Sequence, residues 1–74
     1  MAAKLDFVLV ERKRPVLLVE CKWADTEVDR SLRYLRTRFP DAQAWQLSAV
    51  GTKDYQTPEG IRVAPALSLL GSLI

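Results

Sequence analysis

The sequence predicts one small α+β domain of α/β type over residues 1–74, with a mixed sheet of three or four strands and two helices. Three observations carry this prediction: two apolar runs around a charged connection, one stretch with helical periodicity, and a third apolar run after a proline. The chain has 74 residues, is 49% hydrophobic and has a net charge of +2. That length allows at most one domain with a thin core, and the composition argues against disorder.

The first two strands are predicted to form a β-hairpin. The run Leu5–Val10 is rich in β-branched and aromatic residues, and the run Val16–Val19 follows the charged connection Glu11–Pro15. The second run passes directly into Glu20–Trp23. Both runs are almost continuously apolar, so we expect both strands to lie deep in the sheet.

The middle of the chain predicts an amphipathic helix at about Glu27–Arg38. One face of that helix is formed by four apolar residues at helical spacing: Val28, Leu32, Leu35 and Phe39. Thr26, with Asp29 three residues later, resembles a capping box and is the predicted N-cap. Pro40 ends the helical pattern.

The remaining elements follow from shorter signals. Ala42–Val50 is the predicted third strand, and Lys53–Gly60 is a polar loop with a proline and a glycine. Ile61–Val63 is a candidate short fourth strand. Ala66–Leu73 is the predicted C-terminal helix.

The composition also excludes several kinds of chemistry. The chain has no histidine, so a Ser-His-Asp or Cys-His mechanism lacks its base. A single cysteine, Cys21, allows neither a disulfide within the chain nor a zinc site of the usual Cys and His ligands. Carboxylates, lysine and arginine remain, which favours divalent cations and phosphates. The unpaired cysteine, the lack of a membrane-length apolar run and the lack of a secretory signal predict a cytoplasmic protein without a membrane partner.

The sharpest local feature is Asp6 followed by Glu20 and Lys22. In an antiparallel hairpin the paired residue numbers add to a constant. If Val10 pairs with Val16, the constant is 26 and Asp6 faces Glu20. Alternation along the strand then places Asp6, Glu20 and Lys22 on one face. The inference requires a connection of odd length, because a shift of one residue would place Leu5 opposite Glu20.

Two carboxylates at directly opposite positions repel each other unless a cation lies between them. Such a pair suits Mg²⁺ or Mn²⁺, which take oxygen ligands. Lys22 would then orient or deprotonate a water molecule, or stabilise charge on a phosphate. The alternative is that Asp6 only begins a strand and Glu20 and Lys22 form a solvated charge pair, and spacing alone leaves both possibilities open.

The pattern Asp6-(x)13-Glu20-Cys21-Lys22, between two hydrophobic strands and before an amphipathic helix, resembles the PD-(D/E)xK, or restriction-endonuclease-like, nuclease superfamily. More narrowly, the chain looks similar to the C-terminal nuclease-like domain of certain prokaryotic AAA-type ATPases. Five segments carry that likeness: Leu5–Val8, Leu18–Lys22, Leu32–Tyr34, Gly51–Tyr55 and Gly60–Ala66.

The resemblance implies that Asp6 and Glu20 bind Mg²⁺ or Mn²⁺, with the backbone carbonyl of Cys21 as a further ligand and Lys22 as the catalytic lysine. It implies a metal-dependent phosphodiester hydrolase acting on nucleic acid, or a catalytically silent interaction domain of the same fold associated with an AAA-type ATPase. Leu5 stands where the family has proline, and the family's N-terminal helix layer is missing. The expected fold is therefore a truncated, minimal nuclease-like core, either of a shortened relative or of a chain whose partner supplies that layer.

The helix also has a basic side, on which a nuclease-like domain would contact phosphates through Arg30, Arg33 and Arg36. A solvated face with an Asp29–Arg33 ion pair is the alternative. The net charge is too small to imply a nucleic-acid partner by itself.

Other side chains bear on packing and partners. We expect Cys21 to be a small buried apolar residue, and Trp23 and Trp45 to lie in the core or an interface. A thin core that lacks a helix layer should expose apolar surface, which predicts a homodimer. An AAA-type ATPase partner is what the resemblance implies.

Overall fold

The structure, a computed structural model, describes residues 5–73 and is an α+β protein with a five-stranded mixed sheet and two helices. In chain order the elements are β1 (Phe7–Glu11), β2 (Arg14–Lys22), α1 (Arg30–Arg38), β3 (Gln43–Ser48), β4 (Tyr55–Gln56), β5 (Ile61–Pro65) and α2 (Ala66–Leu73). The strand order is β1-β2-β3-β5-β4. The three central strands are parallel, and both edge strands are antiparallel to their neighbours.

The sheet has five strands, whereas three or four were predicted. The additional strand, β4, lies inside the predicted loop Lys53–Gly60 and pairs Tyr55 with Val63 and Gln56 with Arg62. A two-residue strand is too short to show the alternation that marks a strand in a sequence. The C-terminal helix begins and ends where it was predicted, and the fourth predicted strand continues to Pro65.

The hairpin connection is shorter than predicted. Only Arg12 and Lys13 lie between β1 and β2, and both have positive φ angles, of 53° and 65°. Two consecutive left-handed residues are the geometry of a tight two-residue hairpin turn, whose twist matches that of the strands. Arginine and lysine are not the residues that usually announce such a turn, so the sequence favoured the longer connection Glu11–Pro15.

A β-bulge in the hairpin compensates for the short turn. Val10 pairs with Pro15 while Leu9 pairs with Leu17, so Val16 is an extra residue on β2. Pro15 suits this place because it has no N–H to donate to the ladder. Between the turn and the bulge the paired numbers add to 25, and beyond the bulge they add to 26, as in the pair Leu9 and Leu17. The bulge therefore shifts the register by the single residue that the odd-length connection was expected to supply.

Helix α1 begins three residues later than predicted, and its N-cap is Asp29 rather than Thr26. The Asp29 carboxylate accepts hydrogen bonds from the backbone N–H groups of Ser31, at 2.9 Å, and Leu32, at 3.3 Å. The carbonyl groups of Thr26 and Glu27 accept hydrogen bonds from a glutamine side chain of β3 instead of from the next helical turn. This contact between distant residues holds the segment before Asp29 outside the helix.

The helices cover opposite faces of the sheet, α1 on β2 and β3 and α2 on β3 and β5. The core under α1 consists of Leu18, Leu32, Ala42, Ala44, Ile61 and Val63. The core under α2 consists of Leu17, Val19, Trp45, Leu47, Ala64 and Leu69. Neither helix within residues 5–73 is long and apolar enough to cross a membrane.

β1 lies at the edge of the sheet, which corrects the prediction that both hairpin strands lie deep. All five residues of β1 are exposed, whereas Leu17, Leu18 and Val19 of β2 are buried. The helices pack on the strands beyond β1, so neither face of this strand is covered. An apolar run has the same sequence pattern in a central strand and in an apolar edge strand.

Candidate functional site

Asp6 and Glu20 meet where β1 begins and β2 ends. Phe7 pairs with Val19, so the next position of the register sets Asp6 opposite Glu20. The backbone N–H of Asp6 donates a hydrogen bond to Oε1 of Glu20 at 3.2 Å. The backbone N–H of Cys21 donates to Oδ2 of Asp6 at 2.9 Å. Each carboxylate thus accepts a hydrogen bond from the backbone of the neighbouring segment, Glu20 from Asp6 and Asp6 from Cys21.

Lys22 lies between two carboxylates on the α1 face of the sheet. Its Nζ is 3.3 Å from Oε2 of Glu20 and 3.0 Å from Oδ1 of Asp29. The Glu20 side chain is only 12% exposed and that of Lys22 is 31% exposed. The hydrogen bond to Asp29 raises the pKa of Lys22, and the contact with Glu20 adds to the effect, although burial opposes it. Lys22 is therefore held as a cation.

Asp29 joins this cluster to the start of α1. Its Oδ1 accepts a hydrogen bond from Lys22, and its Oδ2 accepts from the N–H groups of Ser31 and Leu32. Burial alone would raise the pKa of Asp29. The hydrogen bonds from Lys22 and from the helix backbone outweigh burial, so the pKa is lowered. The same carboxylate caps the helix and fixes the lysine.

Gln46 completes the cluster from β3, where it pairs with Glu20 in the parallel register. It is 2% exposed. Its Oε1 accepts a hydrogen bond from the Asp29 N–H at 2.7 Å, and its Nε2 donates to the carbonyl groups of Glu27, at 3.0 Å, and Thr26, at 3.4 Å. Lys22, Asp29 and Gln46 are called the Lys22 network below.

The sequence prediction of the site missed Asp29 and Gln46. A signal that could have identified Gln46 is its position between Trp45 and Leu47 in the middle of a strand. A polar side chain that is buried there needs hydrogen-bond partners. Asp29 was assigned to the first turn of the helix, and the error of three residues in the helix start concealed its capping role.

Cys21 is exposed, which corrects the expectation of a buried apolar residue. It lies on the sheet face opposite Glu20, toward β1, where no helix packs. Partial burial and the neighbouring carboxylates of Asp6 and Glu20 raise the pKa of its thiol. The thiol is therefore protonated at neutral pH and is a poor nucleophile.

The oxygen atoms near Asp6 and Glu20 are the donors that a divalent cation would use. Within residues 5–73, no group of three or more acidic, cysteine or histidine side chains is arranged to hold a metal ion. A cation here would be coordinated by two carboxylates, a backbone carbonyl and water molecules. Mg²⁺ is often bound by one or two carboxylates and several water molecules. Among the described residues, Oδ1 of Asp6 has no hydrogen-bond donor, because the bond from Cys21 reaches Oδ2.

The three arginines predicted to contact phosphates differ in their surroundings. Nε of Arg33 is 3.0 Å from Oε2 of Glu59, and Nη1 of Arg36 donates to the Pro40 carbonyl at 2.6 Å. Arg30, beside Asp29 in the sequence, is exposed. The alternative Asp29–Arg33 ion pair is not formed between these side chains, because Asp29 pairs with Lys22 and Arg33 with Glu59.

The two tryptophans also differ. Trp45 is 9% exposed and belongs to the core under α2, as predicted. Trp23, which directly follows Lys22, is 75% exposed. This corrects the expectation that Trp23 lies in the core, and the exposed ring follows the lysine of the candidate site in the sequence.

The candidate site lies at the carboxyl end of the parallel strands, where α1 begins. Open α/β sheets generally bind their ligands at this end. Three comparisons, with protein-family models, with curated proteins and with solved structures, found no match to this chain.

Proposed function

We propose that this chain is a metal-dependent phosphodiester hydrolase of PD-(D/E)xK type, with a minimal restriction-endonuclease-like core, that acts on nucleic acid. The supporting observation is that Asp6, Glu20 and Lys22, separated by up to sixteen positions in the chain, are linked by direct contacts at one end of the sheet. The parallel pairing of β2 with β3 across α1 supports the same proposal, because it sets this cluster at the carboxyl ends of the central strands.

Asp6, Glu20 and the carbonyl of Cys21 would hold Mg²⁺ or Mn²⁺. When bound, such an ion polarises a phosphoryl oxygen and lowers the pKa of a coordinated water molecule. The chain supplies a rigid frame for the two carboxylates. The backbone of Asp6 is tied to Glu20, and the side chain of Asp6 is tied to the backbone of Cys21.

Lys22 would stabilise negative charge on the phosphate. Its ammonium lies between the carboxylates of Glu20 and Asp29, and this arrangement favours the protonated form over a free base. Of the two roles open for this lysine, charge stabilisation fits these contacts better than removal of a proton from water. Asp29 is then a positioning residue. The exposed Trp23 and Arg30, which adjoin Lys22 and Asp29 in the sequence, are candidates to contact bases or phosphates.

The test combines Mn²⁺ titration by calorimetry with cleavage assays on plasmid DNA and on single-stranded RNA. We expect Glu20→Gln to abolish metal binding and lower cleavage by about 100-fold or more, because a ligand is lost. Lys22→Met should bind Mn²⁺ but lose cleavage to a comparable extent, about 100-fold. Glu11→Gln changes an exposed carboxylate at the other end of β1 and serves as the matched control.

Two results would contradict the proposal. One is a wild-type chain that binds no Mn²⁺ at millimolar concentration. The other is cleavage that Glu20→Gln leaves at the level of Glu11→Gln. Circular dichroism of the wild-type chain and of each variant establishes that the protein is folded. A loss of metal binding or of cleavage then reports on the site and not on unfolding.

A second candidate function is a catalytically silent interaction domain of the same fold, docked on an AAA-type ATPase or on another copy. The observation that favours it is the complete engagement of Lys22 within the chain, together with the apolar surface of β1. Absence of metal binding combined with stable self-association or ATPase binding would favour this candidate over the hydrolase.

A further inference from the structure

β1 is an unprotected edge strand. Its apolar side chains are exposed on both faces of the sheet: Phe7 by 52%, Val8 by 41%, Leu9 by 48% and Val10 by 55%. The outer backbone edge of β1 has no neighbouring strand among residues 5–73. The opposite edge strand, β4, has only two residues, both polar or amphipathic. Proteins usually blunt their edges with short strands, charges or bulges that prevent pairing, and β1 carries four consecutive apolar residues instead.

We propose that two copies of this chain associate by antiparallel pairing of β1 with β1, about a twofold axis through Leu9. The two five-stranded sheets would then continue into one ten-stranded sheet. This surface goes beyond the proposed hydrolase and does not depend on metal binding, because no residue of β1 belongs to the candidate site. Asp6, which precedes β1, is the one residue that both proposals use.

The register follows from symmetry and sequence. Residues opposite each other across a sheet share a face, so in a twofold-symmetric pair their numbers add to an even sum. A centre at Leu9 sets Val8 opposite Val10 of the second copy, which joins apolar side chains on one face. On the other face Leu9 meets itself and Phe7 lies opposite Glu11, which is the one apolar–charged pairing of this register. Centres at Val8 or Val10 give at least two such pairings, among them Val10 opposite Asp6 or Val8 opposite Arg12.

Charge favours a second copy in the antiparallel sense. Asp6 precedes β1, and Arg12 and Lys13 form the turn that follows it. In the register centred on Leu9, Asp6 of each copy lies opposite Arg12 of the other, so opposite charges meet at both ends of the paired strands. A parallel arrangement would bring like charges together at each end. The edge is therefore complementary to itself.

The size of this surface predicts a weak dimer. One five-residue strand per copy lies at the low end of the range of specific interfaces. We expect a Kd on the order of 1–100 μM, which equilibrium sedimentation measures directly.

The first test compares two leucines of similar exposure. Leu9→Lys places a charge at the centre of the pairing edge and should raise the Kd by about tenfold or more. Leu70→Lys removes a leucine that is 54% exposed on α2 and should leave the Kd within about twofold. A wild-type chain that stays monomeric up to millimolar concentration, or a Kd that both substitutions raise equally, would overturn the proposal.

The second test traps the register by a disulfide in a Cys21→Ser background. With Leu9→Cys, the two thiols meet on the twofold axis, at a Cα separation of about 4.5–5.5 Å that permits a disulfide. With Val10→Cys, the like positions are diagonal neighbours about 7–8 Å apart, which is too far. We expect mild oxidation to cross-link the Leu9→Cys variant about tenfold faster or more. Equal rates, or a faster Val10→Cys variant, would overturn this register.

The two proposals fail separately. A wild-type chain that binds Mn²⁺ but stays monomeric up to millimolar concentration would overturn the β1 pairing and leave the hydrolase proposal untouched. A wild-type chain that dimerises but binds no Mn²⁺ would overturn the hydrolase proposal and leave the β1 pairing untouched.

Discussion

The two sides of Glu20 differ in how completely their polar groups are paired. On the α1 side, the Lys22 network is closed: the ammonium of Lys22 has two carboxylate partners, Asp29 binds both Lys22 and the helix backbone, and Gln46 makes three hydrogen bonds. On the β1 side, Asp6 is exposed and its carboxylate accepts one hydrogen bond, from the backbone of Cys21.

This difference separates groups that serve the fold from groups that remain available to a ligand. Every member of the Lys22 network also holds the start of α1 against β2 and β3, so the fold depends on its hydrogen bonds. Asp6 holds only the neighbouring backbone of the hairpin. We therefore expect substitutions in the network to reduce stability and substitutions at Asp6 to act on binding.

The largest expected effect is that of Gln46→Leu. This change removes three partly buried hydrogen bonds of a buried side chain, those to the Asp29 N–H and to the carbonyl groups of Glu27 and Thr26. An unsatisfied buried group costs about 1–3 kcal/mol and these backbone groups are only partly buried, so we expect the free energy of unfolding to fall by about 2 kcal/mol. Urea denaturation followed by circular dichroism measures this loss.

The matched control for Gln46→Leu is Gln56→Leu on the exposed edge strand β4. A change there should alter the free energy of unfolding by less than about 0.5 kcal/mol. Similar losses in both variants would mean that the network contributes no more to the fold than a surface glutamine.

A smaller effect is expected at low pH, through Asp29. Its pKa is lowered in the folded chain, so its carboxylate stabilises the fold above the unfolded value of about 3.9. That stabilisation is lost as the pH falls through the folded pKa. Asp29→Ser keeps a capping oxygen but has no titrating group. We expect the wild-type chain to be more stable than this variant by about 1 kcal/mol at pH 7.

The difference between the wild-type chain and Asp29→Ser should shrink toward zero as the pH falls below the unfolded value of about 3.9 and through the lowered pKa of Asp29 in the folded chain, because the carboxylate becomes protonated. Urea unfolding at a series of pH values gives this difference directly. A difference that stays constant from pH 7 to pH 2 would show that the ion pair with Lys22 does not stabilise the fold.

The elements that the sequence predicts well depend on local patterns. The residues Leu32 and Leu35 recur at helical spacing and do face the sheet, and the run Ala66–Leu73 is helical as expected. The place of a strand within a sheet is not a local property. An apolar run such as β1 has the same pattern at an edge and in the centre, so its exposure depends on which helices reach it.

The hairpin shows a second limit of local reasoning. The predicted sum of 26 holds near Asp6, but a tight turn at Arg12–Lys13 and a bulge at Val16 produce it together, rather than a five-residue connection. All five residues of β1 are exposed, so burial does not fix the register of β1 against β2. Near the site that register is held by the hydrogen bonds of Asp6 with Glu20 and Cys21. The turn can therefore vary while the register is kept.

The sequence predicted only those residues of the candidate site that belong to the hairpin or directly precede it. Asp6, Glu20 and Lys22 belong to two adjacent strands, whose pairing can be worked out by arithmetic. Asp29 and Gln46 join them through the parallel pairing of β2 with β3, a contact between positions 26 apart in the chain. No periodicity in the sequence specifies that parallel register.

The smallest effect on stability is expected from Asp6→Asn, which tests the other side of the comparison. The amide oxygen of asparagine can still accept the hydrogen bond from the Cys21 N–H, so only the negative charge is lost. Because Asp6 is exposed, we expect the free energy of unfolding to change by less than about 0.5 kcal/mol. Under the proposed function the same change should weaken Mn²⁺ binding by about tenfold or more. Urea denaturation and calorimetry on one preparation measure both quantities. A loss of stability as large as that of Gln46→Leu would contradict the comparison, because Asp6 would then serve the fold as fully as the Lys22 network does.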